Sequence, residues 1–83
     1  MKITASKSHC GRFHINADGH RTSLMIEKSN EGGNGIEWVI LIDNGDDWPE
    51  YLTGGISDKD HAINAISQIA IAVAKIKNDL NSA

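Results

Sequence analysis

The sequence predicts an α+β fold: an antiparallel three- to four-stranded β-meander packed on one long C-terminal α-helix, in the order β-β-β-(β)-α. Three observations carry this expectation. Ala62, Ile66, Ile69, Val73, Ile76 and Leu80 recur at alternating spacings of four and three, the periodicity of a single helical face. Far upstream, apolar and polar residues alternate from Arg12 to Ala17 and stop at Asp18-Gly19, a dipeptide suited to a tight hairpin turn. Ile36 to Ile42 is rich in branched and aromatic residues and is the most strand-prone run in the chain. A striped helix and a one-sided sheet each need the other to bury their apolar faces.

The 83 residues fit a single domain over 1–83, with one small core and no room for a deep ligand cavity. A hydrophobic fraction of 40% and a charged fraction of 23% describe a folded protein with a well-solvated surface. Cys10 is the only cysteine, so no internal disulfide forms, which suits a reducing compartment. Met1 to Lys7 is mixed and polar, unlike a secretion signal, and no apolar run approaches the roughly 18 residues that span a bilayer. The expectation is a soluble cytoplasmic protein.

Taken in order, the first strand is expected over 12–17 and the second over 20–28. With Asp18-Gly19 as a two-residue turn, Ala17 faces His20, Ile15 faces Thr22, Phe13 faces Leu24 and Gly11 faces Ile26. Phe13, Ile15, Ala17, Leu24 and Ile26 then share a buried face, and Arg12, His14, Asn16, Arg21, Ser23, Met25 and Glu27 a wet one. Ser29 to Gly35 is a polar, glycine-rich loop. A strand rather than a helix follows it, so it lacks the helix N-terminus that makes a phosphate site.

The third strand is expected over 36–42, followed by a turn at Asn44-Gly45 that sets Trp38 opposite Tyr51, Ile40 opposite Pro49 and Ile42 opposite Asp47. Trp38, Ile40 and Ile42 would face the helix. Because Pro49 cannot donate to a ladder, a fourth segment over 48–53 is expected as a short edge strand or only an extended loop. Gly54-Gly55 punctuates the chain, and Ser57 caps a helix over 58–80 with Asp60 three residues further on. Two apolar features are left outside the core. Met25, Val39 and Leu41 fall on the wet sheet face with Trp48 nearby, and Ile71 projects from the outer side of the helix.

Charge is distributed unevenly about the net value of −3. Lys2, Lys7, Arg12, Arg21 and Lys28 dominate the first part, whereas Asp43, Asp46, Asp47, Glu50, Asp58 and Asp60 face only Lys59 in the later one. The acidic stretch repels phosphates and attracts basic protein surfaces. Arg12, His14 and Arg21, with Lys2 and Lys7, make a modest basic sheet face that is the alternative, nucleic-acid-binding reading. That face lacks aromatic residues for base stacking.

His9, Cys10, His14 and His20 are the one group of soft-metal ligands, but their spacing matches no common zinc framework and the hairpin sends His14 and His20 to opposite faces. Asp43, Asp47 and Glu50 lack the order of a calcium loop. His9 and Cys10 are neighbours on a strand and point apart, so they do not form a nucleophile and base. No cofactor, metal or catalytic set follows from the sequence, and an enzyme is not expected.

The layout as a whole resembles small phage-encoded inhibitors of the anti-CRISPR type. The resemblance lies in the twisted hairpin, the Trp-bearing third strand, the acidic turn Asp43-Asn44-Gly45-Asp46-Asp47, and Gly54-Gly55-Ile56-Ser57 leading into an Ala/Ile-rich helix. It implies a non-catalytic protein that occupies a basic, nucleic-acid-binding surface on a bacterial defence complex. The expected contact is Asp43, Asp46, Asp47, Trp48 and Glu50, extended by Met25, Val39 and Leu41 on the sheet. The expected partner is a bacterial protein or ribonucleoprotein complex. A second copy of the chain is the other candidate, through the heptad-like helix stripe.

Overall fold

The computed structural model describes residues 2–9, 11–29, 37–45 and 47–81. They form one antiparallel sheet in chain order, β1 (Ile3–His9), β2 (Arg12–Ala17), β3 (His20–Ser29), β4 (Glu37–Ile42) and β5 (Glu50–Ile56), followed by α1 (Lys59–Ile66) and α2 (Ala70–Asn81). The α+β class and the meander are as expected. The count differs at both ends: five strands rather than three or four, and two helices rather than one.

The additional strand is β1. It pairs with β2 through Ile3–Ala17, Ala5–Ile15 and Lys7–Phe13, and Ile3 and Ala5 pack against the core. Its alternation is faint, because only Ile3 and Ala5 face the core, and Lys7, next on the same side, is exposed. The start of β1 is tied to the next turn. The Asp18 N–H donates to the Lys2 carbonyl at 2.9 Å, and the Lys2 N–H donates to Asp18 Oδ1 at 2.8 Å.

Asp18 and Gly19 form the expected turn, with positive φ angles of 51° and 83°, and Ala17 faces His20. Beyond Asn16–Arg21 the predicted register slips by two, so that Phe13 faces Ile26 instead of Leu24. Thr22, Ser23 and Leu24 all lie across from Ile15 in this bulge. An even slip leaves the side-chain faces unchanged, so Phe13, Ile15, Ala17, Leu24 and Ile26 still share the helix-facing side.

Side chains make good the ladder bonds that the bulge removes. Thr22 Oγ1 donates to the Ile15 carbonyl at 2.8 Å and accepts from the Leu24 N–H at 3.2 Å. The Ser23 N–H and hydroxyl donate to the two carboxylate oxygens of Asp79 on α2, at 2.9 and 3.1 Å. The Ser23 carbonyl accepts from the Asp43 N–H at 2.8 Å. A buried bulge is tolerable only with its polar groups paired in this way.

The predicted β4–β5 register does not form. Trp38 faces Ile56, Ile40 faces Thr53, Leu41 faces Tyr51 and Ile42 faces Glu50. A two-residue turn of either primed type needs positive φ at its first central residue, here Asn44, and only Gly45 has it, at 85°. The chain instead takes a longer connection from Asp43 to Pro49. The last strand therefore starts later than 48–53 and continues through Gly54-Gly55, which sit inside it rather than ending it.

The helix predicted over 58–80 breaks at residues 67–69. Ser67 Oγ donates to the Asn64 carbonyl at 2.9 Å, the acceptor that the Gln68 N–H would use in an unbroken helix. The Gln68 N–H turns to the Ala65 carbonyl at 3.0 Å and the Ile69 N–H to the Ile66 carbonyl at 3.2 Å, a tighter turn. The break rephases the apolar stripe. Ala62, Ile66, Ala72 and Ile76 are fully buried, Ile69 and Leu80 pack at the margin, and Val73 is half-buried.

Asp58, not Ser57, caps α1. It has the extended backbone that a cap requires, accepts from the His61 N–H at 2.8 Å, and meets His61 Nδ1 at 2.7 Å through its second oxygen. The backbone bond, followed by the side-chain one, holds the Asp58 carboxyl below its ordinary range. The main core lies between the helices and the sheet. It contains Ile15, Leu24, Ile26, Ile40, Ile66 and Ile76 without exposed surface, along with Trp38 in tilted contact with Phe13 at 5.8 Å.

Candidate partner-binding surface

The Asp43–Pro49 connection hangs between the end of β4 and the start of β5, and short polar contacts shape it. Asp43 Oδ1 accepts from the Gly45 N–H at 2.9 Å, a local turn that aspartate favours. Across the loop, Asn44 Nδ2 donates to Glu50 Oε2 at 2.9 Å. Asp43, Asp47 and Glu50 are exposed, and among the described residues none of them has a cationic partner. Asp46 lies outside the described residues. Trp48 stands between the carboxylates with 84% of its surface exposed.

Met25, Val39 and Leu41 do come together on the sheet face away from the helices, as the alternation implies. They are not an uncovered patch, however. Their exposures are 5%, 7% and 7%, so they form a second, small core. Part of the cover comes from Tyr51, expected opposite Trp38. Tyr51 faces Leu41 across the ladder, and its ring lies over Gly54 beside Val39. With 61% of its own surface exposed, Tyr51 joins the sheet cluster to the Trp48 loop. The signal in the sequence was an aromatic residue next to Glu50 on an edge strand, but the misplaced turn assigned it to the wrong row.

Gly54 is required by that arrangement. A Cβ on it would meet Tyr51 Oη at 2.5 Å and Val39 Cγ1 at 3.0 Å. Gly54→Ala is expected to cost about 1–2 kcal/mol in urea denaturation, the ordinary penalty for overpacking. Removing the aromatic ring in Tyr51→Ala should recover part of the loss, with a coupling of at least about 0.5 kcal/mol in the double-mutant cycle.

The basic residues are arranged differently from a continuous basic strip. Arg12 Nη2 donates to Glu27 Oε1 at 3.1 Å, so its charge is already paired. His14 lies between Ser6 and Met25 in the neighbouring strands, and Arg21 is exposed opposite Asn16. His20 is exposed at the start of β3. Cys10 and the side chain of His9 lie outside the described residues, as does the glycine-rich run from Asn30 to Ile36. Among the described residues no three of His, Cys, Asp and Glu converge as metal ligands. Ile71 stands on the outer side of α2 with 65% exposure.

An open groove of about 350 Å³ lies where the end of β5 meets α1, lined by Ile56, Ser57, His61, Asn64, Ala65 and Gln68. Nothing in the sequence pattern pointed to it, because it depends on β5 reaching Ile56. Among the described residues no helix is long and apolar enough to cross a membrane. Comparison of the chain with protein families, with curated proteins and with solved structures gives no match.

Proposed function

We propose that this chain is a non-catalytic protein-binding inhibitor or regulator, and that the loop from Asp43 to Glu50 is its contact. The observation that carries the reading is Trp48, which is 84% exposed between carboxylates that have no cationic partner among the described residues. A large aromatic residue held in water contributes nothing to the core, yet it is the side chain best able to anchor an interface. The surrounding acids select a basic counterpart and steer its approach. Such a counterpart is the lysine- and arginine-rich surface with which a protein holds nucleic acid. Together with the resemblance in layout to anti-CRISPR-type inhibitors, this makes a bacterial nucleic-acid-guided complex the favoured partner, met in the cytoplasm of the bacterial host. The alternative of a small nucleic-acid-binding regulator has exposed Arg21 in its favour, but Arg12 is engaged by Glu27 and His14 is half-buried. A second copy of the chain remains a competing partner, through Ile71.

The test is competition. Purified nucleic-acid-guided defence complexes are challenged with the protein, and target-DNA binding is followed by gel shift. The expected result is loss of the shifted band with the unmodified protein. The band should return with Asp47→Lys/Glu50→Lys and with Trp48→Ala, while thermal melting of both variants stays close to that of the parent. Inhibition that survives charge reversal would remove the acidic loop from the contact. A gel shift by the protein alone at low salt would instead favour the nucleic-acid reading.

A further inference from the structure

The two edges of the sheet are not alike. β1 carries exposed Lys7, a charge that discourages another strand, and a basic one above all, from pairing with that edge. At the other edge β5 runs for seven residues, Glu50–Ile56, without a lysine, arginine or proline. Among the described residues it pairs only with β4. Both edges are bulged: β1 holds one extra residue against β2, and β5 holds two against β4, one between Thr53 and Ile56 and one between Tyr51 and Thr53. Acids bracket it. Asp47 and Glu50 stand at its start, and Asp58 and Asp60 follow its end. The intervening cation, Lys59, has its ammonium 4.9 Å from the centre of the Phe13 ring.

We propose that β5 accepts a sixth strand, an extended basic segment of the protein partner, and that the groove between Ile56 and α1 receives one of its side chains. This rests on the reading of the acidic loop as the contact for a basic protein, and it adds the mode of recognition. Main-chain bonds to an exposed edge supply affinity that does not depend on sequence, while a neighbouring pocket and the local charge supply selectivity. The occupant follows from charge. An acidic or neutral segment would gain nothing from four carboxylates at the ends of the strand, whereas alternate lysines or arginines would lie near them. In the groove, His61, Asn64 and Gln68 offer polar groups beside the apolar floor of Ile56 and Ala65. That lining suits a long side chain with an apolar stem and a polar head.

The probe is a blocked peptide of alternating lysine and valine, about nine residues long so that it spans the strand. A second peptide of identical sequence carries N-methyl groups on alternate residues and so lacks donors along one edge. Binding is read by backbone amide shifts and by hydrogen exchange of the protein. Strand addition predicts slowed exchange across Glu50–Ile56, shifts at His61, Asn64 and Gln68, and binding weakened about tenfold or more by N-methylation. Equal affinity for the two peptides, or shifts confined to residues 43–49, overturns it. If Asp47→Lys/Glu50→Lys abolishes binding of both peptides while N-methylation changes nothing, the acidic loop stands as the contact and strand addition fails. Absence of binding by either peptide at low salt also overturns strand addition, and leaves the loop reading to the DNA-competition assay.

Discussion

Replacing Ile40 with alanine is expected to lower the stability of the folded chain by about 3–4 kcal/mol, the usual cost of deleting a large aliphatic side chain from a site that cannot collapse. Ile40 has no exposed surface and stands in the middle of the sheet, opposite Ile26 on one side and Thr53 on the other. The sheet backbone fixes its position, so neighbouring side chains cannot close over the void. Single domains hold a total of about 0.05–0.15 kcal/mol per residue, so this loss would consume a large part of the stability of so short a chain. The measurement is urea denaturation, with a fall in midpoint at nearly constant slope. Val39→Ala provides the internal comparison. Val39 is as central in the strand but faces the smaller cluster with Met25 and Leu41, and its loss should cost about 1–2 kcal/mol. Equal costs for the two variants would mean that the sheet is buried to similar depth on both faces.

The features legible in the sequence were those set by side-chain period and by local turn chemistry. Asp18-Gly19 fixed one hairpin because both residues tolerate positive φ, and the alternation around it placed Phe13, Ile15, Ala17, Leu24 and Ile26 on the correct face. Asn44-Gly45 carries a similar signal and did not form the same turn. There Asp43 takes the Gly45 N–H with its side chain while its own N–H reaches Ser23 on β3, and the loop follows those bonds rather than the dipeptide preference. The break at Ser67 was hidden for a related reason. No proline or glycine marks it, and it arises from a hydroxyl that competes for the Asn64 carbonyl. β1 leaves a faint signal because Ile3 and Ala5 are its core-facing residues and Lys7, next on that side, is exposed.

For the candidate surface, the acids and Trp48 could be read directly from sequence, since charge and exposure of a polar loop need no register. The role of Tyr51 and the groove beside Ile56 could not. Both depend on a pairing offset that only the observed β4–β5 register supplies. Met25, Val39 and Leu41 looked like spare apolar surface, yet a twisted sheet with long side chains across it buries them almost completely. Beside the sheet the exposed large side chains are Trp48 and Tyr51 at the rim, where a partner can reach them without disturbing the fold.

The second large effect is expected at Asp79. Asp79→Ala should destabilise the protein by about 2–3 kcal/mol, because it removes two bonds to a charged acceptor and leaves the Ser23 N–H unpaired in a half-buried bulge. Helix electrostatics argue for the opposite sign. Asp79 lies in the last turn of α2, where a negative charge opposes the macrodipole, and its removal alone would favour the helix by a few tenths of a kcal/mol up to about 1. The measured sign therefore decides between the two effects. Ser23→Ala separates them further, since it deletes only the hydroxyl bond, keeps the bond from the Ser23 N–H to Asp79, and should cost about 1 kcal/mol. The distinction has a structural consequence, because Asp79 joins positions 56 residues apart in the chain and fastens the end of α2 to the β3 bulge. Hydrogen exchange should show this directly. In Asp79→Ala the amides of the last turn of α2 and of Thr22 to Leu24 should lose protection together, while those of β5 keep theirs. A neutral or stabilising Asp79→Ala with exchange unchanged would assign the bulge to the Thr22 bonds alone.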